Sequence, residues 1–208
     1  DMNKKFDLIL WGATGFTGAL VAKYIAKTYG YERNLRWAIA GRQTEKLKNL
    51  RQELVETFES DEIPILVANS NDRESLNSLV NSTKVVCSTV GPYALYGTEL
   101  VDACVSAGID YCDLTGEVQW MQKIISAYES EAQKTGARIV HSCGFDSIPS
   151  DLGTYFVQEE MMRRHQTYSE KISTRMGRSR GSASGGTIAS LLNVITEAKR
   201  DPKVRKIM

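Results

Sequence analysis

The sequence predicts an α/β fold, a doubly wound parallel sheet followed by the beginning of a second, α+β, domain. Two observations carry this. Short apolar runs alternate with amphipathic stretches through the first two thirds of the chain, the pattern of βα units. The first run passes directly into a glycine cluster and then into a helical period, which is how a Rossmann-type unit opens. The bulk numbers agree with a globular chain: of 208 residues, 42% are hydrophobic and 25% charged.

Phe6 to Trp11 is apolar apart from Asp7, as a buried parallel strand requires. From Thr17 the period becomes helical, with Leu20, Val21, Tyr24 and Ile25 on one face, fading near Gly30. Leu35 to Ala40 reads as the second strand, and Thr44 to Phe58 as a charged helix turning Leu47, Leu50, Leu54 and Phe58 inward. Ile63 to Ala68 is a strand; Asp72 to Val80 is a short helix that Asp72 can cap. Lys84 to Val90 is the fourth strand, and Glu99 to Ala107 a helix ended by Gly108. Asp110 to Leu114 is the fifth. Trp120, Ile124, Tyr128 and Ala132 mark a longer helix stopping at Gly136, before a sixth strand from Arg138 to Ser142.

After Gly144 the rhythm breaks, placing a first domain at residues 1–150 and the start of a substrate or dimerisation domain at 151–208. Ser150 to Arg164 reads as helix and Lys171 to Met176 as a strand. The Gly/Ser stretch Gly181 to Gly186 is either a linker or a structured loop feeding the helix marked by Ile188, Leu191, Leu192 and Ile195. The stop at Lys206-Ile207-Met208, just after a helix, reads as a truncation.

Composition excludes several function classes. A net charge of +1 argues against nucleic acid as a partner. The cysteines Cys87, Cys104, Cys112 and Cys143 form no C-x-x-C, and with only His141 and His165 beside them no metal site is expected. Scattered thiols, no apolar run of the ~18 residues that a membrane span needs, and no signal peptide ahead of the first strand predict an intracellular, cytoplasmic chain with no membrane span. Association of a longer parent with a lipid surface stays open.

Gly12-Ala13-Thr14-Gly15-Phe16-Thr17-Gly18 lies between the first strand and the first helix. In that context the glycines have separate tasks: Gly12 for the turn, Gly15 for close approach of a pyrophosphate, Gly18 for packing of helix on sheet. The helix N-terminus presents free N–H groups to the phosphates. The spacing is one residue longer than G-x-G-x-x-G. A glycine turn without a ligand is the plain alternative.

The end of the second strand bears on the cofactor. An NAD site places Asp or Glu there for the ribose 2′-OH, whereas this chain has Ala40-Gly41-Arg42 and no acid between Asn34 and Arg42. A guanidinium suits a 2′-phosphate, so NADP(H) is expected over NAD(H), the alternative being an ordinary surface arginine. The expected cofactor-binding set is Gly12, Thr14, Gly15, Phe16, Thr17, Gly18, Arg42, Val90, Gly91 and Pro92.

The remaining strand ends supply the catalytic candidates. Ser88-Thr89-Val90-Gly91-Pro92-Tyr93 follows the fourth strand, and Tyr93 lies either near the nicotinamide or packed in the loop. Asp113 to Glu117 and Ser142 to Ser147 put small and acidic residues at the other two ends. Ser142 and Asp146 are candidates, Asp146 alternatively capping the next helix. Cys143 could pair with His141 if the strand alternation continues through both. None of the nine tyrosines has a lysine four residues later, so the Tyr-x-x-x-Lys proton relay of short-chain reductases is absent.

These stretches together, with His141-Ser142-Cys143-Gly144-Phe145-Asp146-Ser147-Ile148-Pro149-Ser150-Asp151 and Ser184-Gly185-Gly186-Thr187, resemble the saccharopine dehydrogenase-like oxidoreductases, a family that includes saccharopine reductases and trans-acting enoyl reductases. The resemblance implies an NADP(H)-dependent oxidoreductase, moving a hydride to or from an unsaturated substrate of enoyl or imine type. It implies a small-molecule or lipid-like substrate and a chain that can form a homodimer. No arginine arrangement suits an amino-dicarboxylic substrate. The alternative is a non-catalytic NADP(H)-binding sensor or scaffold.

Overall fold

The structure, a computed structural model, describes residues 4–30, 35–58, 63–178 and 184–207. Six parallel strands run in the order β3-β2-β1-β4-β5-β6: β1 Phe6–Trp11, β2 Trp37–Gly41, β3 Ile65–Val67, β4 Thr83–Ser88, β5 Asp110–Asp113 and β6 Ile139–Val140. The order reverses between β1 and β4, whose register pairs Trp11 with Ser88. That reversal opens the crevice in which doubly wound folds bind ligands.

The period-two alternation of the strands divides the core. Leu10, Trp37 and Ile39 point to one face, under α1 (Phe16–Tyr29) and α2 (Thr44–Phe58), where they meet Ile25, Leu47 and Leu54. Ile9, Val86 and Tyr111 point to the other, under α3 (Arg73–Asn81), α5 (Thr98–Ala107) and α6 (Val118–Thr135). Asp72 caps α3, accepting from the N–H groups of Glu74 and Ser75.

Several expectations need correcting. The inward face of α1 is Gly18, Ala22, Ile25 and Ala26, while Leu20 and Tyr24 are exposed. The helix lies so close to the sheet that small side chains take the inner positions. β4 stops at Ser88 rather than Val90: the Thr89 N–H makes the last ladder bond, to the Trp11 carbonyl, and the Thr89 hydroxyl bonds the same carbonyl. A short helix, α4 (Tyr93–Tyr96), follows the cis Gly91–Pro92 peptide. β6 is only two residues long, since Ser142 adopts a left-handed φ of 60°.

Beyond Gly144 come α7 (Ile148–His165, with Pro149 in its first turn), α8 (Gly185–Arg200) and α9 (Pro202–Ile207). The strand expected over Lys171–Met176 does not form. Residues 171–178 take no regular structure, and among the described residues this region is helical only. Positions 181–183 of the Gly/Ser stretch lie outside the described residues, but Gly186 stands in the first turn of α8, whose cap is Ser184, accepting from the Thr187 N–H. No helix among the described residues is long and apolar enough to cross a membrane.

Candidate functional site

The turn after β1 is held by its own backbone. Gly12 and Ala13 donate to the Ala40 carbonyl and Gly15 to the Gly12 carbonyl. Gly12 has φ +82°, and a Cβ there would come within 2.4 Å of a Val90 methyl. A Cβ on Gly18 would lie 2.1 Å from the Gly12 carbonyl oxygen. Gly15, by contrast, is confined by nothing of that kind: its added Cβ would sit 3.4 Å from that same oxygen. Two glycines therefore serve the fold and the third leaves space in front of a helix end. Gly15 is the N-cap of α1, no side chain caps it, and the first turn carries no acid, which leaves donors for an anion.

This turn floors a cleft of about 320 Å³ that Thr14, Gly15, Phe16, Thr17, Arg42 and Asn71 help to line. Val90 and Gly91 form its opposite wall. Arg42, at the end of β2, is exposed and has no hydrogen bond or ion pair among the described residues. The donor set fits a phosphorylated dinucleotide: backbone N–H groups for a pyrophosphate and an unengaged guanidinium for a further phosphate.

The cleft continues into a larger cavity of about 710 Å³, sharing Thr17, Thr89, Gly91, Ser184 and Gly186 with it. Tyr93, Glu117, Asp146 and the α8 residues Ser190, Leu191 and Val194 line this second space. Of the catalytic candidates, then, the structure brings Tyr93 and Asp146 to one cavity. Ser142 lines a separate groove between β6 and α6, with Met121, Ile124 and Val140.

Their chemistry differs. Tyr93 is buried against Trp120, its hydroxyl donating to the Ser88 carbonyl at 3.1 Å and accepting from the Leu114 N–H. Burial, reinforced by the Asp113 carboxylate, pushes its pKa well above the usual tyrosine value. The Ser142 hydroxyl donates to the Thr115 carbonyl. Asp146 is exposed and makes no capping bond: the N-cap of α7 is Ser147, without a side-chain bond. The capping alternative for Asp146 gains no support from this arrangement.

Two groups escaped sequence reasoning. Glu117 is buried, and its carboxylate accepts from the N–H groups of Tyr93 (2.7 Å) and Ala94 (3.0 Å) and from the Ser190 hydroxyl (2.8 Å). One side chain thus starts α4 and ties α8 to the sheet domain. His141 bonds through Nδ1 to Asp113 at 2.7 Å, edge-on to Trp120 with centroids 5.1 Å apart. Asp113 also accepts from the Thr115 and Ser142 N–H groups. The Cys143–His141 pair does not form. The Cys143 thiol turns to the Val140 and His141 carbonyls, because strand alternation ends at Val140. The signals were two acids at one strand end and a histidine at the next, but only strand register pairs them.

Comparison with known proteins places this geometry. The family described as "Saccharopine dehydrogenase NADP binding domain" matches residues 8–140. A Mycobacterium tuberculosis protein, named provisionally as a trans-acting enoyl reductase, is 44% identical over 205 residues, covering 98% of this chain and 47% of that protein. The trans-acting enoyl reductase of Mycobacterium leprae is 36% identical over 216 residues, 99% of this chain and 48% of its own. The chain spans about half the length of these curated relatives. Among solved structures, apo saccharopine dehydrogenase (L-Glu forming) from Saccharomyces cerevisiae superposes with a TM-score of 0.58 at 19% identity, covering 76% of this chain and 32% of that one, a likeness of fold.

Proposed function

The chain belongs to the saccharopine dehydrogenase NADP-binding domain family, and from that premise we propose that it is the cofactor-binding part of an NADP(H)-dependent oxidoreductase acting on an unsaturated substrate of enoyl or imine type. Residues 1–150 form the cofactor domain and 151–208 open a substrate or dimerisation domain. The observation that carries this reading is the continuity of the two spaces. The glycine-turn cleft with Arg42 at one end runs into the larger cavity past Thr17, Thr89 and Gly91.

The cofactor, when bound, supplies a hydride donor or acceptor at nicotinamide C4. The chain does the rest. The α1 N-terminus and the Gly12–Gly18 turn, with Thr14, Phe16 and Thr17, hold the pyrophosphate, and Arg42 holds the 2′-phosphate. Val90 and Gly91 wall the cleft, and Pro92, buried beneath them, lines neither space. Glu117 fixes α4 and α8 around the cavity, and Tyr93, Leu114 and Val194 contribute to its lining. Asp146 is the carboxyl on the cavity wall that can carry a proton to or from the substrate. Tyr93 acts as a wall and positioning residue, since its hydroxyl proton is committed to the Ser88 carbonyl.

Fluorescence titration with NADPH and NADH tests the cofactor. Arg42→Ala weakens NADPH about ten- to a hundred-fold, the value of one or two charge-assisted hydrogen bonds, and leaves NADH unchanged. Equal affinities of the wild-type chain for the two nucleotides would refute the role of Arg42. A sensor or scaffold reading is favoured by one observation, the backbone-bonded hydroxyls of both Tyr93 and Ser142. NADPH oxidation by the parent with enoyl thioesters or imines, reduced about 10²–10⁴-fold by Asp146→Asn, separates the two.

A further inference from the structure

The four cysteines stand in three environments. Cys104 is enclosed in the core, and burial pushes its thiol well above the usual range. Cys143 is exposed, its thiol turned to the Val140 and His141 carbonyls, and partial desolvation raises it as well. Cys87 and Cys112 are half-buried and stand together, for β4 and β5 pair them directly in register. Partners of this kind put their side chains on one face of the sheet. Here it is the face of Leu10, which is the register partner of Cys87 on β1. On the other flank Cys112 is paired with Val140, which is 52% exposed, so solvent reaches the sheet face beside the pair.

The spacing suits a covalent link. Neighbouring strands lie about 4.8 Å apart, within the range of about 4.4–6.8 Å that a disulfide spans between Cα atoms. The two thiols already share a hydrogen bond. Cys112 donates it, which holds the Cys87 thiol below its usual pKa and the Cys112 thiol above. Cys87 is thus the nucleophile of the pair, and Cys112 the proton donor and second sulfur. Neither residue lines the cleft or the large cavity, and no step of the proposed hydride transfer uses them.

We propose that Cys87 and Cys112, side by side on β4 and β5, are a site of reversible oxidation that a peroxide closes to a disulfide. The Cys87 sulfur attacks one peroxide oxygen, the O–O bond breaks, and the departing hydroxide takes up a proton and leaves as water. Cys87 is then a sulfenic acid. The Cys112 sulfur attacks the Cys87 sulfur, the S–O bond breaks, and the hydroxyl leaves with the Cys112 proton as a second water. The two sulfurs together give up two electrons, and the peroxide gains them. A dithiol reductant reverses the change by exchange. The inference goes beyond the oxidoreductase reading and does not rest on it, since the reaction needs no nucleotide.

The test treats the reduced, intact chain with equimolar hydrogen peroxide in the absence of nucleotide. The remaining thiols are alkylated after unfolding, and the peptides are mapped by mass spectrometry. Of the four thiols, two are lost to alkylation, in a peptide pair that joins Cys87 to Cys112 and that dithiothreitol releases. Cys143→Ser keeps this link. Cys87→Ser leaves Cys112 open to alkylation, whereas Cys112→Ser stops Cys87 at the sulfenic acid, which dimedone labels. A link from Cys143 to either sulfur overturns the inference, as does a Cys87–Cys112 link that forms only once the chain has unfolded. Full alkylation of both residues after the peroxide is spent overturns it too. Cys104, fully buried, resists alkylation while the chain is folded, which identifies any variant that has lost its fold. The maps of the wild-type chain and of Cys143→Ser decide the question by themselves.

Discussion

The sheet domain and the helices after Gly144 both carry apolar residues at regular spacing, but they bury them differently. The sheet domain fills both faces of the sheet, with Ile9, Leu10, Ile39, Leu47 and Leu76 fully enclosed. In α7 no residue is buried, and Leu152, Tyr155 and Phe156 stand in the open. In α8 only Val194 is buried, while Ile188, Leu191 and Leu192 remain exposed. A helical pattern specifies a helix, but its energetic worth depends on a second surface to receive the apolar face. In the first region the chain supplies that surface itself.

The largest test of this contrast is truncation of matched side chains. Leu47→Ala in the core should lower stability by about 2–5 kcal/mol, whereas Phe156→Ala in α7 should change it by about 0.5 kcal/mol or less, both read by chemical denaturation. A comparable loss at the two sites would mean that α7 is covered in solution, by self-association for instance, which light scattering against concentration would reveal.

The glycines sharpen the contrast by reversing its sign. Gly18→Ala would drive a Cβ to 2.1 Å from the Gly12 carbonyl, backbone that cannot move aside, and should cost about 1–3 kcal/mol and weaken NADPH binding. Gly153→Ala, in α7, meets nothing within 4 Å and should stabilise its helix by about 0.5–1 kcal/mol. Thermal melting distinguishes them. A neutral Gly18→Ala would mean that the close approach of α1 to the turn is not needed.

Between the regions stands the Ser190–Glu117 bond at 2.8 Å. Ser190→Ala should cost about 1 kcal/mol and raise proteolytic cleavage ahead of α8, leaving the sheet domain intact. Unchanged cleavage would show that α8 is held by its apolar contacts alone.

The smallest effect is on acid stability. Arg36, and then Lys84, hold the Asp7 carboxyl well below the usual carboxylate range, a tie joining β1 and β4 to the entry of β2. Because the folded pKa is depressed, the stabilisation is complete above the unfolded value of about 4 and is lost as pH falls below it. Glu160 in α7 is likewise held down, to about 2, by Arg163 and then Arg164, but within a single helix on the surface. Asp7→Asn should flatten the loss of Tm below pH ~4; Glu160→Gln should leave the sheet-domain transition as it was. The reverse result would place the acid-sensitive contacts in the helices.

Much of the fold was legible because its signals are local. The bounds of α2, Thr44–Phe58, follow from periodicity alone, and Asp72 capping α3 follows from its position two and three residues before the N–H groups it serves. The glycine turn was legible for the same reason, and so was the choice of Arg42 over an acid at the end of β2. The inward face of α1 was misread, since apolar character pointed to Leu20 and Tyr24, whereas close packing selects Gly18, Ala22 and Ala26. The strand at Lys171–Met176 has suitable residues but no neighbouring strand among the described residues to pair with, and strand propensity alone does not form a strand.

The sequence by itself therefore determined most of the succession of strands and helices through the sheet domain, the glycine turn ahead of α1 and the arginine at the end of β2, each encoded within a few consecutive positions. Only the tertiary structure decided which polar side chains meet around the strand ends. His141 meets Asp113 across 28 positions, Glu117 meets Ser190 across 73, and Gln119 meets Glu197 across 78. Such pairs depend on parallel register and on where α8 comes to rest, quantities set by the packing of the whole chain and carried by no short stretch of it.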